Sequence, residues 1–169
     1  MTESVTSVAS DWERQFNQVL PLFGHRNWIV VADSAYPAQA KPGIETIVAL
    51  EDQIHVVQKV KDAIAASGHV RAIAYVDKEL SFVRESDAPG IAEYKLQLND
   101  VMYGSSVEHL EHDQIIARLD HSGLLFRILI IKTRMTIPYT SVFFELDCGY
   151  WNADAEERLR QAMLVSALS

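Results

Sequence analysis

A chain of 169 residues with 49% apolar side chains can bury one sizeable core, and at this length it is expected to fold as a single domain. Its formal net charge of −8 speaks against nucleic acid and anionic membrane surfaces as partners, since both select basic patches. Cys148 is the one cysteine, which excludes an internal disulfide and suits a reducing compartment.

Residues 1–10 are polar, lack the basic start and apolar run of a signal peptide, and read as a flexible N-terminus; residues 11–169 read as the folded domain. Asp11 is placed to cap a helix that aligns Trp12, Phe16, Val19 and Leu20 on one face and stops at Pro21 or Gly24. Trp28 to Asp33 is a continuous apolar run closed by a carboxylate, the pattern of a strand buried on both faces. A loop from Tyr36 to Gly43 leads to a second such run, Ile44 to Leu50. Glu51 to Ala66 is predicted helical, with Ile54, Val57, Val60, Ile64 and Ala65 facing the core and Ser67-Gly68 ending it.

Val70 to Val76 is a further buried-strand run. After the break at Asp87 to Gly90, a helix over Ile91 to Met102 aligns Tyr94, Leu98 and Val101. A short strand near Val107 to Leu110, a helix over Asp113 to Leu119, and strands over Leu124 to Lys132 and Ser141 to Leu146 follow. Ala153 to Ala167 reads as a terminal amphipathic helix. The longest apolar run, Leu124 to Ile131, is interrupted by Arg127 and falls short of the ~18 residues a membrane helix needs. A cytoplasmic protein with no membrane partner is therefore expected.

Buried strands alternating with amphipathic helices predict an α/β fold: one domain, a largely parallel sheet, helices on both faces. Such sheets bind ligands beyond the carboxyl ends of their strands. That directs the search to the loops after Asp33, after Val107 to Leu110, and before Ser141.

The sequence carries no Gly-rich phosphate loop, G-x-S-x-G elbow or C-x-x-C pair. Cys148 follows Asp147, whose charge would raise a thiol pKa, so it is a poor nucleophile. Among the six histidines, His109 and His112 have a spacing that suits a metal only if one helix carries both. A change from strand to helix is expected between them, which argues for no metal. His55 reads as a flank residue on its helix, and His69 as a partner for the last carbonyls of the preceding helix.

His25 lies in the turn that feeds the first buried strand, and Asp33 ends that strand. Eight extended residues at ~3.3 Å each would hold them ~25 Å apart. Either the turn at Gly24 folds back sharply, or a site using both takes them from two subunits; the second is favoured.

Gly24-His25, a buried strand, Asp33 and then Pro37 resemble the opening of the D-ribose pyranase and L-fucose mutarotase (RbsD/FucU) family. Gly43-Ile44-Glu45, the run VRAIAYVDKEL from Val70 to Leu80, His112-Asp113-Gln114, Ile131-Lys132-Thr133 and Pro138-Tyr139 resemble further family segments in the same order. The resemblance implies an RbsD-like fold and a cofactor-independent mutarotase or pyranase that interconverts ring forms or anomers of a free monosaccharide. It implies His25 as the catalytic residue, Asp33, His112 and Tyr139 as sugar-binding residues, and Ser141 in the place of a family asparagine. It also implies a homo-oligomeric ring, pentamer to decamer, with sites shared between neighbours.

The chemistry suits these residue types. Opening a cyclic hemiacetal needs a proton given to one oxygen and taken from another, which an imidazole does at neutral pH. Asp33 would accept hydrogen bonds from sugar hydroxyls, and Tyr139 would both donate and accept. Ser141, Ile116, Arg134 and Met135 depart from the family pattern. These departures motivate the competing expectation of a non-catalytic, monosaccharide-binding or regulatory relative.

Overall fold

The computed structural model describes residues 10–168, so the segment read as a flexible N-terminus lies, apart from Ser10, outside the described residues. Along the chain come α1 (Asp11–Val19), β1 (Trp28–Ala32), β2 (Ile44–Val48), α2 (Gln53–Ser67), β3 (Val70–Asp77), α3 (Ile91–Val101), β4 (Val107–Leu110), α4 (His112–Ser122), β5 (Ile128–Lys132), β6 (Val142–Cys148) and α5 (Ala153–Ala167). The strands form a single sheet in the order β2-β5-β1-β6-β3-β4. β1 pairs parallel with β5, β5 with β2, and β3 with β4, while β6 runs antiparallel to both β1 and β3. This is the largely parallel α/β sheet predicted above, with one reversed strand near its middle.

Strand alternation divides the apolar side chains between two layers. Ile29 and Val31 join Trp12 and Phe16 of α1, Val57 and Val60 of α2 and Leu98 of α3 on one face. Trp28 and Val30 join Ile115 and Leu119 of α4 on the other. Every residue of β1 is buried, which explains why its sequence shows no polar alternation. α2 is capped by Asp52, whose carboxylate accepts from the Ile54 amide, and it ends at Gly68 in the left-handed conformation that glycine tolerates.

Several local expectations are corrected. Ser10, not Asp11, is the N-cap of α1. In α2 the buried face is Gln53, Val56, Val57, Val60 and Ile64; Ile54 is half-buried and Ala65 is exposed. Leu124 and Leu125 lie in the turn after α4 and are exposed, because the Phe126 amide still bonds back to Ser122 O and the strand begins only at Ile128. α5 is a helix as predicted, but none of its residues is buried, so its apolar stripe does not join the core.

A polar side chain buried in the interior ties the start of α2 to the chain between β5 and β6. Gln53, at the first turn of α2, is completely buried. Its Nε2 donates to Thr140 O, and its Oε1 accepts from Thr133 Oγ1 at 2.7 Å. Tyr94 of α3 donates its hydroxyl to the same Thr140 carbonyl at 2.5 Å. The chain between β5 and β6 is thereby held from beneath. Replacing Gln53 by Leu keeps the volume and removes these bonds, leaving buried polar groups with fewer partners. Urea unfolding should show Gln53→Leu destabilised by roughly 1–3 kcal/mol; an unchanged midpoint would mean that the loop is held by other contacts.

Candidate active site

Because five strands run one way, the ends of β1, β3 and β4 meet the start of β6 at one edge of the sheet. Val142 pairs with Val31 of β1 and with Val76 of β3. Ser141, one residue before Val142, therefore stands between Asp33 and Asp77, the residues at the carboxyl ends of those strands. A cleft of about 470 Å³ opens at this edge. Asp33, Asp77, His112, Tyr139 and Ser141 line it, together with residues 136–138. All three loops singled out from the sequence contribute to it. Two larger hollows elsewhere on the surface contain none of the predicted site residues.

Asp33 is held by its own loop. Its Oδ1 accepts from the Ala35 amide at 2.9 Å, and its Oδ2 accepts from Ser141 Oγ at 3.1 Å. The Asp33 amide donates to the same hydroxyl oxygen at 3.2 Å. Ser141 is buried, and its one hydroxyl hydrogen is directed at Asp33 rather than into the cleft. In this geometry it orients the carboxylate.

His112 opens α4. Its backbone amide, one of the orphan donors of a helix start, is taken up by both Glu79 carboxylate oxygens at 3.1 and 3.0 Å. Its Nδ1 lies 3.1 Å from each oxygen of Asp77. An ionised carboxylate only accepts, so with Asp77 charged the Nδ1 carries the hydrogen and Nε2, across the ring, is left to accept or to hold a second proton. The Tyr139 ring stands edge-on to the His112 ring, with centroids 5.8 Å apart. Tyr139 has φ of 59°, a left-handed conformation that costs a bulky residue about 1–2 kcal/mol and is sustained by the surrounding contacts.

Asp77 carries no role in the reading of the sequence. It could have been found by the same signal as Asp33, a carboxylate directly after a buried strand. The side chain is 1% exposed. Burial pushes its carboxyl up to about 6, against the pull of His112, while Glu79 and Asp33 add to the upward push. The same field acts on Tyr36 beside the cleft, which burial, followed by Asp120, Asp77 and Asp33, raises to about 12. No lysine or arginine is among the described residues that line the cleft.

His25 is not in this cleft. It lies at the opposite edge of the sheet, before β1, with Nδ1 2.8 Å from Asp147 Oδ1 at the end of β6. One chain's His25 and Asp33 therefore stand at the two ends of one buried strand, and the turn at Gly24 does not fold back across it. His109 lies on β4 and His112 on α4, so the expected change of element does separate them. No group of three His, Cys, Asp or Glu side chains suited to a metal occurs among the described residues. Arg134 lies away from the cleft, beside Glu13, Glu51 and Lys59, whereas Ile116 borders a shallow extension that shares Asp33 and His112 with it.

The raised Asp77 pKa has a defined consequence for stability. A carboxyl whose folded-state pKa exceeds its unfolded value near ~3.9 stabilises the fold at low pH, and that contribution is lost as pH rises through about 6. Between about pH 4 and about pH 7, the wild type should lose roughly 2–3 kcal/mol relative to Asp77→Asn, read from urea midpoints. A pH-independent difference would show that the carboxylate is well solvated.

The model of the RbsD / FucU transport protein family matches residues 12–148. Bacillus subtilis RbsD, solved in complex with D-ribose, superposes with a TM-score of 0.58 at 15% identity, covering 90% of this chain and 100% of its own. FucU from Bifidobacterium longum gives 0.52 at 10% identity, with 79% and 94% covered. The fucose mutarotase of Streptococcus pneumoniae, in complex with L-fucose, gives 0.50 at 14% identity, with 87% and 98% covered. No curated protein matches the sequence. At such identities the superpositions speak for the fold, and the family match spans all six strands of the sheet and the whole cleft: the chain belongs to the RbsD / FucU transport protein family.

Proposed function

We propose that this protein is a cofactor-independent mutarotase or pyranase acting on a free monosaccharide in the cytoplasm, at a site completed by a neighbouring subunit. The observation that carries the proposal is the convergence of Asp33, His112, Tyr139 and Ser141, read from separate motifs, on one cleft beyond the strand ends. Family membership and the ribose and fucose bound by two structural relatives support the same class of ligand.

The cleft offers carboxylates and a phenol to hydroxyl groups, and no lysine or arginine is among the described residues that line it, so it favours an uncharged sugar over a sugar phosphate. Ring opening takes the hydrogen from the anomeric hydroxyl and delivers one to the ring oxygen as the bond between that oxygen and the anomeric carbon breaks. Closure on either face of the resulting carbonyl reverses both transfers. His112, backed by Asp77, is built as one proton-transfer group. Asp33, held by Ser141 and the Ala35 amide, would fix the sugar by accepting from its hydroxyls. His25 is the second proton-transfer group and comes from the adjoining subunit, since within one chain it stands at the far edge of the sheet.

The alternative, a sugar-binding relative without catalysis, draws on Ser141. Its hydroxyl turns to Asp33 and leaves the sugar without the amide that the family asparagine offers.

Saturation-transfer NMR on equilibrated ribose and fucose separates the two readings. Wild type should accelerate exchange between sugar forms, and His25→Ala and His112→Ala should each lose about 10²–10⁴-fold. Oligomers refolded from a mixture of these two variants should regain part of the activity, because some interfaces then pair an intact His25 with an intact His112. Line broadening without accelerated exchange for any sugar would establish the binding reading, and a monomer in gel filtration would overturn the shared site.

A further inference from the structure

At the edge of the sheet away from the cleft, three side chains from three elements meet. His25 comes from the turn before β1, Arg71 from the start of β3 and Asp147 from the end of β6. Arg71 and Asp147 are direct partners in the antiparallel register of β3 and β6. Arg71 approaches one carboxylate oxygen, Oδ2, with Nε at 3.1 Å and Nη2 at 2.6 Å. The other oxygen, Oδ1, accepts from the Cys148 amide at 2.8 Å and lies 2.8 Å from His25 Nδ1. Each oxygen thus meets two nitrogen atoms, both from Arg71 at Oδ2 and one each from Cys148 and His25 at Oδ1.

We propose that Asp147, anchored by Arg71, is a positioning residue for His25: it holds the imidazole in the tautomer with hydrogen on Nδ1, leaving Nε2 directed outward as a base. This rests on the reading of His25 as a proton-transfer group given above. Asp147 accepts and cannot donate while ionised, so its contact with Nδ1 requires the hydrogen on that nitrogen. The hydrogen bonds from Arg71 hold the carboxyl below the usual carboxylate range, against a smaller push upward from burial, with help from the Cys148 amide and His25. The His25 side chain remains 59% exposed, which leaves room for a ligand or for the cleft of an adjoining copy to reach it.

The backbone supports the same arrangement. The Arg26 amide donates to Leu146 O at 2.9 Å, and the Leu146 amide donates to Asn27 O at 2.9 Å. Asn27 Oδ1 accepts from the Gly24 amide at 2.8 Å, and its Nδ2 donates to Arg127 O at 3.0 Å. Arg26 takes a positive φ of 75° within this turn. The segment that carries His25 is thereby stitched to β6 one residue before Asp147. The result parallels the other edge, where Asp77 meets Nδ1 of His112. Each of the two histidines assigned to proton transfer has its own carboxylate behind it.

An ordinary surface ion pair contributes little to stability and says nothing of tautomer, so the decisive measurement is the tautomer itself. Nitrogen-15 imidazole spectra of the full-length protein at mildly alkaline pH should show neutral His25 with hydrogen on Nδ1. Asp147→Asn should shift the population toward hydrogen on Nε2, and Asp147→Glu should restore the wild-type pattern. With sugar as substrate, Asp147→Asn should lower kcat by about ten- to a hundredfold and leave KM unchanged, with partial recovery in Asp147→Glu. A wild-type His25 with hydrogen mainly on Nε2, or an Asp147→Asn variant with unaltered tautomer and kcat, would overturn the proposal. Should wild type show the expected tautomer and no exchange activity with any sugar, the functional reading fails while the positioning by Asp147 stands.

Discussion

The placement of β6 is the constraint from which the remaining features follow. A strand running antiparallel between two parallel neighbours brings the start of β6 beside the ends of β1 and β3, and the end of β6 beside their starts. At one edge, this sets Ser141 between Asp33 and Asp77 and roofs them with the chain that leads into β6. At the other, it sets Asp147 opposite Arg71 and within reach of His25. Slipping β6 by one residue would turn its apolar side chains to the wrong layers, so burial of Phe143 and Phe144 on opposite faces enforces the register. The same burial aligns both polar clusters.

The two edges solve one electrostatic problem in different ways. Asp77 is almost wholly withdrawn from water, and that burial outweighs the pull of His112, so its carboxyl titrates high. Asp147 is partly exposed and bonded to a guanidinium, and its carboxyl titrates low. Under the proposed function, the cleft histidine is backed by a carboxylate that can itself change protonation near neutral pH. The edge histidine is backed by one that stays ionised. Such a difference between two acid–base groups suits a reaction that takes a proton at one oxygen and gives one at another.

The departures from the family pattern acquire distinct meanings once located. Ser141 is tied into the support of Asp33, so the change from asparagine alters how the carboxylate is held. Ile116 borders the extension of the cleft that Asp33, His112 and Asp120 also line, and presents an apolar side chain there. Arg134 lies with the acidic side chains near α1 and α2 and does not touch the cleft. Gln53, deep in the interior, holds Thr133 and Thr140 and so joins the helical layer to the chain that carries Tyr139.

What the sequence determined by itself was the set of elements and the edge of the sheet to search. Continuous apolar runs such as Trp28 to Ala32 read as strands covered on both faces, and Ser67-Gly68 marks the end of α2 because capping is local chemistry, whereas its start, read at Glu51, falls at Gln53 behind the Asp52 cap. The spacing of His25 and Asp33 favoured their separation, since an extended strand has a known rise, and the structure removed the alternative of a sharp fold-back at Gly24. Local chemistry could not show that β6 runs against its neighbours, because an apolar run reads the same in either direction. Nor could it tell that Leu124 and Leu125 stay in a turn or that the stripe of α5 stays outside the core. The partnerships of His112 with Asp77 and of His25 with Asp147 were equally hidden. They join residues 35 and 122 positions apart, and only the packing of the strands brings those side chains within hydrogen-bonding distance.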